Sequence, residues 1–220
     1  MKARPIPIGF SKQIEAVDPT HLSDTGAEAV GTLQGKGFGV YLGITLKDVD
    51  ALNAISNQKG VQEFCYKDCR TDEKGRFGNR ECIERWLAKR RVALPLRRLG
   101  DLSLVGNGWT GLEAPPEDVP ELAGCKTTFA IRLSEEVGGQ GLAVPYTIAM
   151  TEVSASLYGL RGFWLETWGS NVGAWKSYEK AGWRQVAEYS GARQTADEFI
   201  FDDVRRFYIL PDSSLGGKKS

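Results

Sequence analysis

The most constraining feature of this chain is a glycine-rich segment that follows a strand pattern and precedes a helix pattern. Three apolar residues alternate with smaller or polar ones, as in a half-buried strand: Phe129, Ile131 and Leu133. Three glycines follow within 138–141, and apolar residues then recur at helical spacing over 142–157. The sequence therefore predicts a strand, a tight turn and a helix in direct succession.

The turn at 138–143 has the composition of a phosphate-binding loop. Glycine lets the backbone approach a ligand closely and adopt positive φ. The first amides of a helix lack intrahelical partners and lie at the positive end of its dipole. We therefore expect this turn to hold a phosphorylated ligand, the alternative being that its glycines only shape the turn. The candidate binding residues are Gly138, Gly139, Gln140, Gly141, Leu142 and Ala143.

Two other glycine patterns in the chain lack this context. Residues 34–39 fit a glycine-loop pattern but lead into a strand, so no helix dipole follows them. Residues 106–111 fit a dinucleotide fingerprint, but Pro115 and Pro116 stand where that fingerprint requires a helix. We therefore expect neither segment to form a phosphate-binding loop.

A second strand and helix lie at 163–182. Side chains that alternate between two faces predict a strand over 163–168. Glu166 lies on the face that Trp164 and Trp168 share. Asn171 is a favourable N-cap for a helix over 172–181, and Gly182 is a favourable terminator.

Together the two units resemble the cofactor-binding core of the GNAT acyltransferases, which move an acyl group from acyl-CoA to an amine. The resemblance covers about residues 38–211 and is strongest over 127–184. It is closest to the branch of ribosomal-protein and small-amine N-acetyltransferases. It implies an α/β fold whose mixed, mostly antiparallel central sheet is flanked by helices on both faces. The domain would span 37–211, after an N-terminal extension at 1–36 and before a flexible tail at 212–220.

The resemblance also implies the cofactor contacts, with acetyl-CoA as the expected donor. The loop would bind the pyrophosphate, the backbone amide near Leu133 would polarise the thioester carbonyl, and Asn171 would border the pantetheine arm. This chain departs from the family at Gly138, where Arg or Gln is usual. The departure keeps the backbone amides and removes one side-chain anchor.

Acyl transfer to an amine needs two proton movements: the amine loses one and the departing thiolate gains one. By resemblance, Glu166 is the candidate general base and Tyr178 the candidate general acid, twelve residues further along the chain. Glu135, Glu136 or an ordered water could replace Glu166 as the base. A packing role for Tyr178, and a structural or solvent-facing role for Glu166, are the alternatives.

The remaining patterns predict a strand over 40–46, then a helix capped by Thr45 or Asp48, and a second helix around 79–89. Strands are predicted at 92–96, 102–105, 183–189 and 198–210. Residues 107–126 are predicted to form an acidic, proline-interrupted loop that could overhang the acceptor side or be solvated surface. A second acceptor lip is predicted at 191–198.

Composition excludes several function classes. Lys plus Arg and Asp plus Glu both number 28, so no net field draws the chain to nucleic acid or anionic lipid. No apolar run approaches the roughly 20 residues of a membrane span, and no signal-peptide core precedes the domain, which favours a cytoplasmic protein. The four cysteines lack zinc-type spacing and His21 is the one histidine, so no metal is expected.

These observations predict an acetyl-CoA-dependent N-acyltransferase that transfers the acyl group directly to a primary amine. The acceptor could be a small molecule, a protein N-terminus or a lysine, and a longer acyl donor stays open. The alternative is a catalytically silent GNAT-like domain that binds CoA as a sensor or interaction module. The oligomeric state is open, a homodimer included.

Overall fold

One eight-stranded sheet organises the described residues, which are 29–33, 35–89, 91–195, 197–212 and 215 of a computed structural model. The strands are β1 Ala29–Leu33, β2 Phe38–Tyr41, β3 Arg91–Arg98, β4 Leu104–Leu112, β5 Thr127–Leu133, β6 Phe163–Trp168, β7 Arg184–Gln194 and β8 Ile200–Ile209. Their order across the sheet is β1-β2-β3-β4-β5-β6-β8-β7. Among these strands β5 and β6 form the one parallel pair, and all other neighbours run antiparallel.

Helices cover both faces of the sheet. They are α1 Val49–Ser56, α2 Lys59–Cys65, α3 Arg80–Leu87, α4 Ala143–Tyr158 and α5 Val172–Lys180. Side chains of α1 and α3 pack with Trp109 of β4 on one face. Side chains of α4 and α5 pack with Phe129 and Leu165 on the other. In the described part of the chain, no helix has the length and apolarity that crossing a bilayer requires.

This architecture confirms the predicted fold class, and several predicted elements lie where expected. The strand–turn–helix unit is β5 and α4, and the second unit is β6 and α5. The helix predicted around 79–89 is α3, where the Asn79 side chain accepts a hydrogen bond from the Cys82 N–H at 2.8 Å. That bond satisfies one of the amides left open at a helix N-terminus.

The loop predicted at 107–126 was wrong over its first part, because β4 continues to Leu112. The glycines of this strand misled the sequence interpretation. An added Cβ at Gly108 would lie 2.2 Å from the Met150 sulfur, so the glycine lets α4 approach the sheet closely. Similarly, β7 continues to Gln194, so residues 191–194 of the predicted acceptor lip belong to a strand.

Two elements had no counterpart in the sequence prediction. Strand β1 lies within the range assigned to an N-terminal extension and pairs antiparallel with β2 at the sheet edge. Helix α2 is short, contains Gly60 and buries only Val61, so it leaves no apolar stripe to detect. The predictions for residues 1–28 and for most of the tail lie outside the described residues.

Candidate functional site

The sheet opens between its two central parallel strands. Strands β5 and β6 pair only at Thr127 with Phe163 and at Thr128 with Trp164. Beyond these pairs β5 stays bonded to β4, and β6 to β8, so the two strands diverge. The result is a wedge that widens toward the end of β5 at Leu133.

Backbone geometry directs a free amide into this wedge. The Ser134 N–H donates to the Val105 carbonyl of β4 at 2.8 Å. Successive residues of a strand point their N–H groups to opposite edges. The N–H of Leu133 therefore points away from β4, toward the open wedge.

The glycine loop lies at the wide end of the wedge. A short 3-10 turn at Glu135–Val137 leads into it, and α4 begins at Ala143. Gly139 and Gly141 have φ values of 73° and 69°, which other L-residues rarely adopt. No hydrogen bond within the described residues uses the N–H groups of Gly141, Leu142 and Ala143. These three amides are free to bind an anion at the N-terminus of a 16-residue helix.

Other residues predicted to bind the ligand at this loop already contact protein groups. The Gly138 N–H donates to the Glu135 carbonyl at 2.9 Å, and its φ of −55° is ordinary. The Gln140 side chain donates to the Glu136 carbonyl at 3.3 Å, and the Leu142 side chain is buried in the main core. The groups of this loop that are left without a partner are therefore mainly the backbone amides of its second half.

Tyr178 lies on α5 with its ring in the main core, where 5% of the residue is exposed. The helix ends in a Schellman motif: Gly182, with φ of 93°, donates to Glu179, and Trp183 donates to Tyr178. Burial raises the pKa of Tyr178 to about 12, although Arg132 opposes that shift. The phenol is therefore protonated at neutral pH, and its hydroxyl bonds to no other described residue.

Asn171 occupies the N-cap position of α5, but its side chain makes no capping hydrogen bond. The prediction was right about the position and wrong about the cap. Its backbone carbonyl accepts the N–H groups of Ala174 at 3.1 Å and Trp175 at 3.3 Å. The side-chain amide is thus left for other partners.

Glu166 lies on β6 with 49% of its side chain exposed. It faces the opposite side of the sheet from Leu165, whereas Tyr178 shares the core cluster of Leu165. A salt bridge of 2.6 Å joins its carboxylate to Arg205. The two predicted proton-transfer residues therefore flank the wedge from opposite faces of the sheet.

The two carboxylates considered as substitutes for Glu166 are bound elsewhere. Glu135 accepts the Gly60 N–H at 2.9 Å, and Glu136 forms a 3.1 Å ion pair with Arg98. Both belong to the 3-10 turn that precedes the glycine loop. All three carboxylates thus have a partner, and Glu166 is the one of the three that lies on a strand bordering the wedge.

Sequence reasoning missed a buried charge cluster beside the wedge. Asp68 is fully buried and bonds to Arg132 of β5 at 2.6 Å and to Arg76 at 2.8 Å. Although burial opposes its charge, the two guanidinium groups lower the pKa of Asp68 below 3.8. Burial raises the pKa of the neighbouring Cys65 thiol to about 11, so it stays protonated. The one available signal was a charged residue, Arg132, between apolar positions of a buried strand.

In the described part of the chain, no three His, Cys, Asp or Glu side chains gather as a metal site would require. The buried charges beside the wedge, Asp68 and Arg132, are instead paired with each other. The unpaired amides at 141–143 are the backbone groups of the loop that a bound cofactor could contact.

Known proteins resemble this chain in structure and not in sequence. No sequence-family model and no curated protein sequence matches the chain. A spermidine N-acetyltransferase from Vibrio cholerae, solved with CoA and spermine, superimposes with a TM-score of 0.62 at 14% identity, covering 81% of this chain and 98% of that one. A ribosomal-protein-S5-alanine acetyltransferase from Vibrio fischeri superimposes with a TM-score of 0.59 at 12% identity, covering 81% and 96%.

Both of these structures are GNAT acetyltransferases. At such low identity the likeness concerns the fold, and it spans nearly the whole length of each neighbour. This chain has the GNAT fold.

Proposed function

We propose that this protein is an acetyl-CoA-dependent N-acetyltransferase that acts on a primary amine. The observation that carries the proposal is the wedge between β5 and β6, with the free amides of Gly141, Leu142 and Ala143 at its wide end. A phosphorylated donor held at that loop can extend an arm between the strands. The CoA and spermine bound by the structural neighbour from Vibrio cholerae support this choice of donor and acceptor class.

The donor contacts follow from the backbone. The loop amides at 141–143 bind the pyrophosphate, helped by the dipole of α4. The pantetheine arm follows the unpaired edge of β5, and Asn171 borders it with its free side-chain amide. The Leu133 N–H then donates to the thioester carbonyl and stabilises the oxyanion that forms there.

The reaction is a direct transfer without an acyl-enzyme intermediate. The amine nitrogen attacks the thioester carbon, the C–N bond forms, and the C–S bond breaks. Tyr178 donates its phenolic proton to the departing thiolate on one face of the sheet. Glu166, directly or through an ordered water, removes the proton from the amine on the other face. Opposite placement of the two groups suits a thioester that lies in the wedge between them.

Titration with acetyl-CoA by calorimetry tests the donor site. We expect a dissociation constant in the micromolar range for wild type and loss of binding in Gly141→Glu, whose carboxylate would occupy the anion site. Gly159→Glu is the matched control, because Gly159 also has positive φ, at 63°, but ends α4 far from the loop. Equal loss in both variants would indicate backbone strain alone.

An assay of thiol release from acetyl-CoA with a panel of primary amines tests the catalytic step. Turnover with at least one amine is expected. Binding of acetyl-CoA without any turnover would favour the catalytically silent, CoA-binding alternative. Failure of wild type to bind acetyl-CoA, CoA or longer acyl-CoAs would overturn the proposal.

A further inference from the structure

A lysine from a distant part of the sequence reaches the glycine loop. Lys36 lies in the turn between β1 and β2, and its Nζ donates to the Gln140 carbonyl at 3.2 Å. Residues 34–39 are not expected to form a phosphate-binding loop of their own, since they lead into a strand and not a helix. Its flanking glycines, Gly35 and Gly37, have φ values of 69° and 70°. These conformations form the tight turn that presents the lysine to the loop.

A cavity of about 510 Å³ adjoins this contact. Its lining includes Lys36, Phe38, Arg98 and Gln140. Lys36 is exposed and has no carboxylate within ion-pair distance among the described residues. An ammonium group held only by a neutral carbonyl keeps most of its capacity to bind an anion.

The acidic groups near the cavity are already bound. Glu136 pairs with Arg98 at 3.1 Å, and the Asp101 carboxylate accepts the Ser103 N–H at 3.0 Å and its hydroxyl at 2.7 Å. Arg98 is 37% exposed and retains donors beyond the one that binds Glu136. The cavity wall therefore combines a free lysine with a partly engaged arginine beside an amide-rich loop.

We propose that Lys36, assisted by Arg98, binds a phosphate of the CoA donor and supplies the side-chain cation that Gly138 cannot. This inference rests on the proposed function, because it places a further binding residue at the same donor site. A residue on the β1–β2 turn would thus replace the side-chain anchor that is usual in the family and that this chain lacks at Gly138. The ligand chemistry is a phosphate ester or anhydride, which the two remaining donors of the Lys36 ammonium group can contact from the cavity side.

Calorimetric titration of Lys36→Met with CoA tests the inference. We expect the dissociation constant to rise about tenfold, as for loss of a charge-assisted hydrogen bond. Lys36→Arg should restore most of the affinity. Lys126→Met is the matched control, because Lys126 is an exposed lysine at the opposite end of β5 from the loop. The affinity of Lys126→Met for CoA should equal that of wild type. Without ligand, all three variants should have the melting temperature of wild type.

Dephospho-CoA, which lacks the 3′-phosphate, identifies the group contacted. An equal loss of affinity for CoA and dephospho-CoA in Lys36→Met assigns Lys36 to the pyrophosphate. A loss seen with CoA alone assigns it to the 3′-phosphate. Wild-type affinity in Lys36→Met, or no restoration by Lys36→Arg, would overturn the inference while the donor site itself still binds CoA. Absence of CoA binding in wild type would instead overturn the proposed function and this inference together.

Discussion

The rings of Tyr178 and Phe129 meet edge to face, with centroids 6.1 Å apart and planes at 89°. Trp183 packs against both, at 6.2 Å from Tyr178 and 5.0 Å from Phe129. Packing of this kind fixes the position of the Tyr178 ring without using its hydroxyl. The structural contribution of this residue can therefore be separated from any chemical contribution.

Removal of the hydroxyl in Tyr178→Phe should lower kcat by about 100-fold, the range expected for loss of a general acid. The free energy of unfolding should change by less than about 1 kcal/mol, because the ring contacts stay in place. Steady-state kinetics and urea unfolding of the same preparation would measure both. An unchanged kcat would leave Tyr178 with a packing role only.

Conversion of Glu166 to Gln tests the proposed base. We expect kcat/KM to fall by about 100-fold near neutral pH, because the amide cannot accept the amine proton. Loss of the salt bridge to Arg205 should have little effect on stability, since the pair is exposed at the surface. Kinetics over a range of pH would show whether the remaining activity rises as the amine deprotonates.

Glu188→Gln is the matched control for this substitution. Glu188 is a strand glutamate paired at 2.8 Å with Arg206, the residue next to the Glu166 partner on β8. Near-normal kinetics are expected there. Equal losses in the two variants, or none in Glu166→Gln, would assign the amine proton to an ordered water or to another group.

Local sequence patterns predicted the parts of the site that depend on neighbouring residues. The glycine loop between β5 and α4 was found because strand period, glycine and helix period follow one another within 129–157. Gly182 was identified as a helix terminator because it directly follows the helix pattern over 172–181. These features arise from backbone conformation, which short segments determine largely by themselves.

Features that depend on distant residues were missed. The ion pair of Asp68 with Arg132 joins positions 64 residues apart, and the contact of Lys36 with Gln140 joins positions 104 apart. Nothing in either segment alone indicates its partner. Gly108 was interpreted as part of a loop because its role, the close approach of α4, involves a helix that begins only at Ala143.

Substitution of Gly108 by Ala should destabilise the fold by about 1–3 kcal/mol, as overpacking does in a filled core. The added methyl group would lie 2.2 Å from the Met150 sulfur and 2.9 Å from the Tyr146 hydroxyl. Relief requires α4 to shift, and the loop amides at its N-terminus would shift with it. Weaker acetyl-CoA binding should therefore accompany the lower melting temperature.

Gly100→Ala is the control for Gly108→Ala, because a Cβ at Gly100 meets no atom within 4 Å. Its stability should match that of wild type. A Gly108→Ala protein with wild-type stability would mean that Met150 moves aside and that α4 does not depend on the glycine.

Replacement of Asp68 by Asn should destabilise the protein by about 3–5 kcal/mol, because it leaves the half-buried Arg132 without its fully buried counter-charge. Asp72→Asn is the matched control, since Asp72 pairs with Arg70 at the exposed surface and should change stability little.

The folded-state pKa of Asp68 is lowered, so its contribution to stability is present above the unfolded-state pKa of about 4 and is lost as pH falls through the folded value. The stability gap between wild type and Asp68→Asn should therefore be widest at neutral pH and should narrow below about pH 4. Thermal unfolding from pH 3 to 7 would measure the gap. A constant gap would show that folding does not shift the pKa of Asp68, and a gap that shrinks toward neutral pH would show that Asp68 is uncharged in the folded protein.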